Sequence, residues 1–489
     1  MSESPLDALR TISDGSNYIM ALSSIHRNIK PDEIEEFFNI VFGHLQDSVA
    51  EDIGMRTLQT IARVLQLKSF REVFIEKQYI HALPYNQKNL NDGVLDVLYV
   101  LVTHAPQAFD QEAADGFARA IVRNPRKSLI ILSIYATYFD QLENPWPLLD
   151  DLIQGQRRFS VDACAKEYCL LLAYLVTEHL GFRRGRSKQA FDCVAQNLES
   201  DSEEVVIAAY SALASIVSVE QNVIIPFREV RSHLAYRYPD QDVHPFQDAV
   251  LDFLLVAPLN WDDLANPKFL STLLELAKTE AKASLVLCRL AEDVKVAQAL
   301  VDSPRWLKRE LPTSKDTLRL FLVVFKHLPM RPIIARKEEF ISFLRRVNAY
   351  ADEPDHSLLC TIIRRINLDK ELVSQLSKSG FIAEYLGNAD DFKTDNAAYS
   401  AILFTDTICK DFYTKELIPM CETVCQIIQS GGDNQPAAIK LATDMCRHAK
   451  CVRKFQELKL NTYLKNRISK MKNRGHIRKL IGLIEGLEE

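Results

Sequence analysis

Glycine is scarce in this chain, with 15 in 489 residues, about 3% against a usual ~7%. So few glycines leave little room for tight hairpins, Gly-rich phosphate loops or close-packed sheets, and helices fit best. Motifs that name a reaction are missing as well. GxGxxG, GxxxxGK followed by Ser or Thr, HExxH and GxSxG do not occur. An SxxK match at Ser469–Lys472 has no companion motif. No residue is singled out as catalytic, cofactor-binding or metal-binding, so the chain reads as non-enzymatic and without a cofactor. Long apolar runs are also lacking. The longest strongly apolar stretch, Leu129–Phe139, is too short to span a bilayer, and MSESPLDALR carries no signal-peptide core. Hydrophobic residues at 47% and charged residues at 25% exclude disorder as the main state.

The ten cysteines are scattered, mostly inside apolar helical patterns such as KEYCLLLAYL and SLVLCRLA, where a thiol is a small buried hydrophobe. That usage points to a reducing compartment, cytoplasmic or nuclear. Cys421, Cys425, Cys446, His448 and Cys451 are five soft ligands within 31 residues. A zinc knuckle and a redox pair are both open to them. Cys421 and Cys425, however, stand one helical turn apart in the apolar PMCETVCQII, and core packing is the reading taken.

Apolar residues recur at the helical period nearly everywhere: Val94, Leu95, Leu98, Leu101; Ile207, Tyr210, Leu213, Ile216; Leu318, Phe321, Val324, Leu328. QNVIIPF at 221–227 is the best strand candidate, although Pro226 suits a helix start equally well. Short breaks at Lys30-Pro31, Asn91-Asp92-Gly93, Asn124-Pro125, Gly181, Glu199–Ser202 and Gly431-Gly432 divide the chain into short helices. Ser202, followed by Glu203 and Glu204, is a candidate N-cap.

Within these helices an apolar triple followed by an apolar pair repeats. The copies are Leu58/Ile61/Leu65 with Tyr79/Leu83, Leu287/Leu290/Val294 with Leu307/Leu311, Leu359/Ile362/Ile366 with Ile382/Leu386, and Ala438/Leu441/Met445 with Leu460/Leu464. The gaps are 14, 13, 16 and 15 residues, and the copies lie near multiples of about 38 residues apart.

The tails FREVFIEKQYIHAL, LVSQLSKSGFIAEYL and VRKFQELKLNTYL carry a resemblance. Residues 371–388 resemble the end of an armadillo unit, with a hinge at Gly380; Gln78, Arg305 and Lys459 stand at or near its place in the other copies. Residues 202–218 resemble a HEAT helix. The resemblance to the armadillo and HEAT superfamily implies an all-α, right-handed superhelical solenoid of stacked hairpins. Each repeat buries only one face alone and needs its neighbours. The Trp–Asn ladder of armadillo import adaptors is missing, which argues against that function.

The expected organisation is an N-terminal repeat stack with its cap over 1–235, a Pro-rich joint over 236–267, a C-terminal stack over 268–458 and basic capping helices over 459–489. Pro239, Pro245, Pro258 and Pro267 mark the joint.

The net charge of -6 argues against coating nucleic acid, yet it is unevenly spread. Residues 447–479 hold twelve Lys or Arg and one acid, whereas residues 1–120 hold seventeen acids and ten bases. On the basic stretch Leu464, Ile468, Met471 and Gly475 form an inward helical stripe, and Lys465, Arg467, Lys470, Lys472, Arg474, Arg478 and Lys479 take the other faces. These seven are the candidate partner-binding face. A second candidate is the loop FRRGRSKQ, read as a turn presenting Arg183, Arg184, Arg186 and Lys188. The sequence therefore suggests a scaffold or regulatory subunit binding one or more proteins, acidic ones among the candidates. The alternative is an adaptor for phosphate-rich or acidic ligands, nucleic acid or an anionic surface, through the basic helices.

Overall fold

The computed structural model describes residues 5–10, 15–46, 50–120, 124–235, 245–259, 262–303, 315–335, 338–350, 353–365, 370–387, 395–411, 417–471 and 473–486. Among these residues α- and 3-10 helices occur and no β-strand. The helices fall into two compact units, one ending at Pro258 and the other starting at Leu259.

In the first unit alternate helices build two rows. One row runs Gly15–Asn28, Glu51–Val64, Asn91–His104, Pro125–Tyr135, Asp162–Glu178, Glu203–Val219 and Pro245–Val256, each packed on the next. The other runs Pro5–Arg10, Ile34–Gln46, Lys68–Glu76, the turn Tyr79–Ala82, Gln111–Ala120, Trp146–Gln154 and Leu180–Ala195. The second unit repeats the plan. Ala281–Leu290, Lys315–Val324, Glu353–Arg365, Asp395–Asp411, Gln435–Met445 and Arg474–Glu485 make one row. Val294–Asp302, Met330–Ala335, Glu338–Tyr350, Phe381–Gly387, Leu417–Ser430 and Ala449–Glu457 make the other. The fold is the all-α stack of helix pairs that the periodicity calls for. The turn Asp262–Ala265 packs on Pro267–Leu276 and Val294–Asp302, whereas Pro245–Val256 packs on Glu203–Val219 and Phe227–Ala235.

Side-chain bonds between neighbouring repeats mark the period directly. Nε2 of His44, His327 and His448 donates to the carbonyl of Leu9, Ala291 and Cys409, 35, 36 and 39 positions back. The pairs Lys127–Asp96, Lys326–Glu292, Arg186–Asp150, Lys166–Glu204 and Arg345–Glu384 span 31, 34, 36, 38 and 39 positions. Exposed pairs add at most about 1 kcal/mol each, so this ladder sets register while apolar burial supplies stability. In each unit arginines close C-terminal ends of helices in the first row described: Arg71 donates to the Leu65 carbonyl and Arg183 to Val176 in the first unit, and Arg331 to Phe325 in the second, at 2.9, 2.8 and 2.6 Å.

Two glycines inside these helices sit where a neighbouring element comes close. A Cβ on Gly93 would lie 2.7 Å from Leu58, and one on Gly54 2.7 Å from Leu90. Gly93 and Gly181 lie in the first turn of Asn91–His104 and Leu180–Ala195, so the breaks expected near them fall just before, at Leu90 and His179. QNVIIPF forms no strand. Val223 and Ile225 bury, Ile224 is 76% exposed, and a helix begins at Phe227. Ser202 occupies the N-cap of Glu203–Val219 but its hydroxyl accepts no cap bond; Glu203 and Glu204 supply the acidic first turn.

The repeat copies align as expected at most positions. Leu58, Ile61, Leu65, Leu83, Leu287, Leu290, Leu359, Ile362, Ile382, Ala438, Leu441, Met445, Leu460 and Leu464 are buried. Val294 departs from the pattern: it is half exposed, because the helix ends at Leu290 and Asp293 caps a new one. Gln78, Gly380 and Lys459 all adopt left-handed backbone, with φ of 56°, 82° and 53°. Arg305, Leu307, Leu311, Ile366 and the Leu386 side chain lie outside the described residues.

Candidate protein interface

The C-terminal basic region does not form one helix. Leu460–Arg467 runs into a 3-10 turn, Ile468–Lys470; Met471 is extended, Asn473 is left-handed at φ 61°, and Arg474–Glu485 starts afresh. The break redirects the inward stripe. Leu464 is buried, but Ile468 and Met471 are half-buried and Gly475 is exposed. Ile477, Leu480, Ile481 and Ile484 complete the core instead. Asn473 carries the missed signal, since Asn accepts the left-handed conformation more readily than most residues.

The basic side chains still point outward. Lys465, Arg467, Lys470, Arg474, Arg478 and Lys479 are exposed, and Lys472 lies outside the described residues. Lys465 is not free: its Nζ is 2.7 Å from Glu485, which also accepts from Asn461 at 3.0 Å. These two donors hold the Glu485 carboxyl below the usual carboxylate range. The Arg467 guanidinium lies over the Tyr463 ring, 5.8 Å from its centre, and Arg474 donates to the Ser469 carbonyl at 2.9 Å. Among the described residues Arg453, Lys459, Lys470, Arg478 and Lys479 have no carboxylate partner within 4.0 Å.

The segment Arg183–Lys188 is helix, not turn, and its four charges separate. Arg183 caps the preceding helix through the carbonyls of Val176 and Thr177. Arg186 donates to Asp150 at 2.9 Å and lies 5.7 Å from the centre of the Trp146 ring. Arg184 and Lys188 are exposed. Sequence reasoning grouped the four because charge density alone does not show which guanidinium is spent on a helix end.

Cys421, Cys425, Cys446 and Cys451 are buried free thiols between Leu417–Ser430, Gln435–Met445 and Ala449–Glu457. The Cys421 thiol donates to the Leu417 carbonyl at 3.4 Å, and its closeness to Cys451 pushes Cys421 up and draws Cys451 down. Burial raises Cys425 and Cys446 to about 12. His448 is turned away, donating to the Cys409 carbonyl. This is a packed core arrangement of buried, unbridged cysteines.

A further surface was missed from the sequence. The pairs Asp96–Lys127 at 2.6 Å and Lys166–Glu204 at 3.0 Å tie Asn91–His104 to Pro125–Tyr135 and Asp162–Glu178 to Glu203–Val219, and Pro125–Tyr135 packs on Asp162–Glu178 between them. One turn further along each helix stand Tyr99, Ile130, Leu170 and Ile207; the next turn brings Thr103, Ile134, Tyr174 and Ser211. Tyr99 and Leu170 are 45% and 46% exposed, and Ile130, Ile134, Tyr174 and Ile207 are half-buried. Water therefore meets an apolar strip crossing four rungs. Helical spacing counts Ile207 with the inward face of its helix, and the other five are hidden by being apolar on the opposite face.

No protein family and no curated protein matches the sequence. Among solved structures, the chain is similar to an engineered protein at 11% identity and TM-score 0.38, covering 94% of this chain and 99% of that one. A structure from work on the phosphorylation switch between cadherin and beta-catenin matches at 10% identity and TM-score 0.39, covering 99% and 100%. Yeast importin-beta matches at 11% and 0.36, covering 98% of this chain and 65% of importin-beta. At such identities the architecture rests on the chain's own helix rows.

Proposed function

We propose that this chain is a non-enzymatic scaffold that binds a protein partner along one face of its helix rows. The observation that carries the reading is the apolar strip Tyr99–Ile130–Leu170–Ile207, laid across four helices at positions where a solvated face normally carries charge. Stacked repeats offer an extended surface of this kind and bind through area and charge pattern. Among the described residues no helix is long and apolar enough to cross a membrane. The Pro-rich segment 236–267 is proposed as the joint between two stacks, with residues 459–489 as a basic cap. A photo-crosslinker at position 170, with a second at exposed Glu72 on the other row as control, tests the reading. A partner captured at 170, spared at 72 and lost when Tyr99 is changed to Ser is the expected result. Equal capture at both positions, or capture indifferent to Tyr99→Ser, would sink it.

A second reading follows from the unpaired Arg453, Lys459, Lys470, Arg478 and Lys479: this end is an adaptor surface for acidic or phosphate-rich ligands. Reversing Lys470, Arg478 and Lys479 to Glu is expected to weaken binding of an oligo-glutamate probe, steeply with salt. Unchanged affinity at low salt would leave these side chains as a solvated cap.

A further inference from the structure

The apolar strip lies on the acidic part of the chain. Residues 1–258 carry 35 acidic and 23 basic side chains, net -12, whereas residues 259–489 carry 30 and 36, net +6. Around the strip, Asp92 and Glu167 are exposed at one edge and Asp140 and Glu178 at the other, against Arg126. Lys127 and Lys166 are neutralised by Asp96 and Glu204. An apolar surface bordered by acid selects a partner carrying both apolar and basic side chains.

Rung spacing adds a second constraint. Packed helices lie about 8–10 Å apart. A β-strand brings its side chains back to one face about every 6.7 Å, out of step with the rungs. A polyproline II segment rises about 3.1 Å per residue with three residues per turn, so every third side chain returns to one face after about 9.3 Å. That period is the size of one rung step, so every third residue of such a segment can reach Tyr99, Ile130, Leu170 and Ile207 in turn. Tyr99 and Tyr174 add rings of the type that line grooves for such segments, and a ring face also takes a lysine or arginine cation.

Resting on the scaffold reading above, we propose that the strip binds an extended, polyproline II-like segment of a partner protein, with an apolar side chain at every third position and Lys or Arg between. Its apolar residues sit on Tyr99, Ile130, Leu170 and Ile207 in turn, and its cations face the acidic edges. Four rungs span about 30 Å, or about nine to ten residues of such a segment.

The test measures fluorescence polarisation of labelled peptides against the full chain. The probe is a peptide of Leu-Lys-Pro triplets, about twelve residues long to cross the strip. One control has the same composition in scrambled order, and another has Glu for Lys. The triplet peptide is expected to bind at least about tenfold more tightly than either control, a difference of about 1.4 kcal/mol. Tyr99→Ser and Leu170→Ser should each remove most of that binding while leaving thermal unfolding within a degree or two, since surface changes stay near ±0.5 kcal/mol. Equal binding of the scrambled peptide overturns the spacing, and equal binding of the Glu peptide overturns the charge argument. Dimerisation in sedimentation that Leu170→Ser abolishes would show a second copy on the strip, which also overturns the proposal. If the triplet peptide fails while crosslinking at 170 still depends on Tyr99, the segment chemistry falls and the scaffold reading stands. If crosslinking is indifferent as well, both fall.

Discussion

Gln78 and Lys459 adopt the same left-handed backbone, φ 56° and 53°, at matching positions of two distant repeats. Each separates a helix from the helical segment that follows it: Lys68–Glu76 from Tyr79–Ala82, and Ala449–Glu457 from Leu460–Arg467. Gly380 does the same at φ 82° between Lys370–Lys378 and Phe381–Gly387. A side chain in this conformation costs about 1–2 kcal/mol, and glycine returns about 0.5–1 of that through its looser unfolded chain. Gln78→Gly and Lys459→Gly are therefore expected to stabilise by about 0.5–1 kcal/mol each, and Gly380→Ala to destabilise by about 1 kcal/mol. Thermal unfolding of the three variants checks this; destabilisation by both glycine variants would contradict it.

The first repeats are held by an aromatic cluster. Phe38 lies 5.1–6.4 Å, centre to centre, from the rings of Phe37, Phe42, Phe70, Phe74 and Tyr79. Phe38 is fully buried, so Phe38→Ala leaves a cavity and is expected to cost about 3–5 kcal/mol. Denaturant unfolding is the readout, and a loss below about 1 kcal/mol would show that the site collapses around the cavity.

Position on the basic cap separates two otherwise similar substitutions. Ile477 is fully buried, whereas Ile468 is only half-buried on the 3-10 turn. Ile477→Asp buries a charge without a partner and should unfold the cap, costing about 3 kcal/mol or more. Ile468→Asp should cost about 1 kcal/mol. Hydrogen exchange over residues 460–485 distinguishes them, and equal effects would restore a single continuous stripe.

His233 gives the first unit a pH dependence. Burial holds its pKa below 6.5, and Nδ1 accepts from the Tyr210 hydroxyl at 2.8 Å. The folded state favours the neutral ring, so the stabilisation is present above pH 6.5 and is lost as pH falls through the lower folded value. Melting temperature should fall below about pH 6.5, and His233→Asn should flatten that part of the curve. An unchanged pH profile in the variant would assign the loss to other groups.

Glu485 acts in the same direction at lower pH. Lys465 and Asn461 depress its pKa beneath 4.5, so its contribution is present above that value and lost as pH falls through the folded one. Lys465→Ala should make the final helix exchange faster near neutral pH and remove its acid sensitivity; exchange unchanged by the substitution would make the pair incidental.

The sequence determined the class of structure. Scarce glycine, three-and-four spacing and breaks every ten to eighteen residues leave stacked helices as the arrangement in which each apolar face finds a cover. It also located the hinge at Gln78, Gly380 and Lys459, because the apolar pair after each hinge keeps a near-constant distance from the triple before it. Tertiary structure decided which side chains remain available. Arg183 and Arg186 look like Arg184 in a charge count, yet one closes a helix end and the other pairs with Asp150. Tyr99 and Leu170 look like core, yet they face water because their helices bury three sides and leave the fourth open. Periodicity records how often an apolar residue recurs on one helix. Which neighbour covers that face depends on helices about 38 positions away, and only the packed rows bring those together.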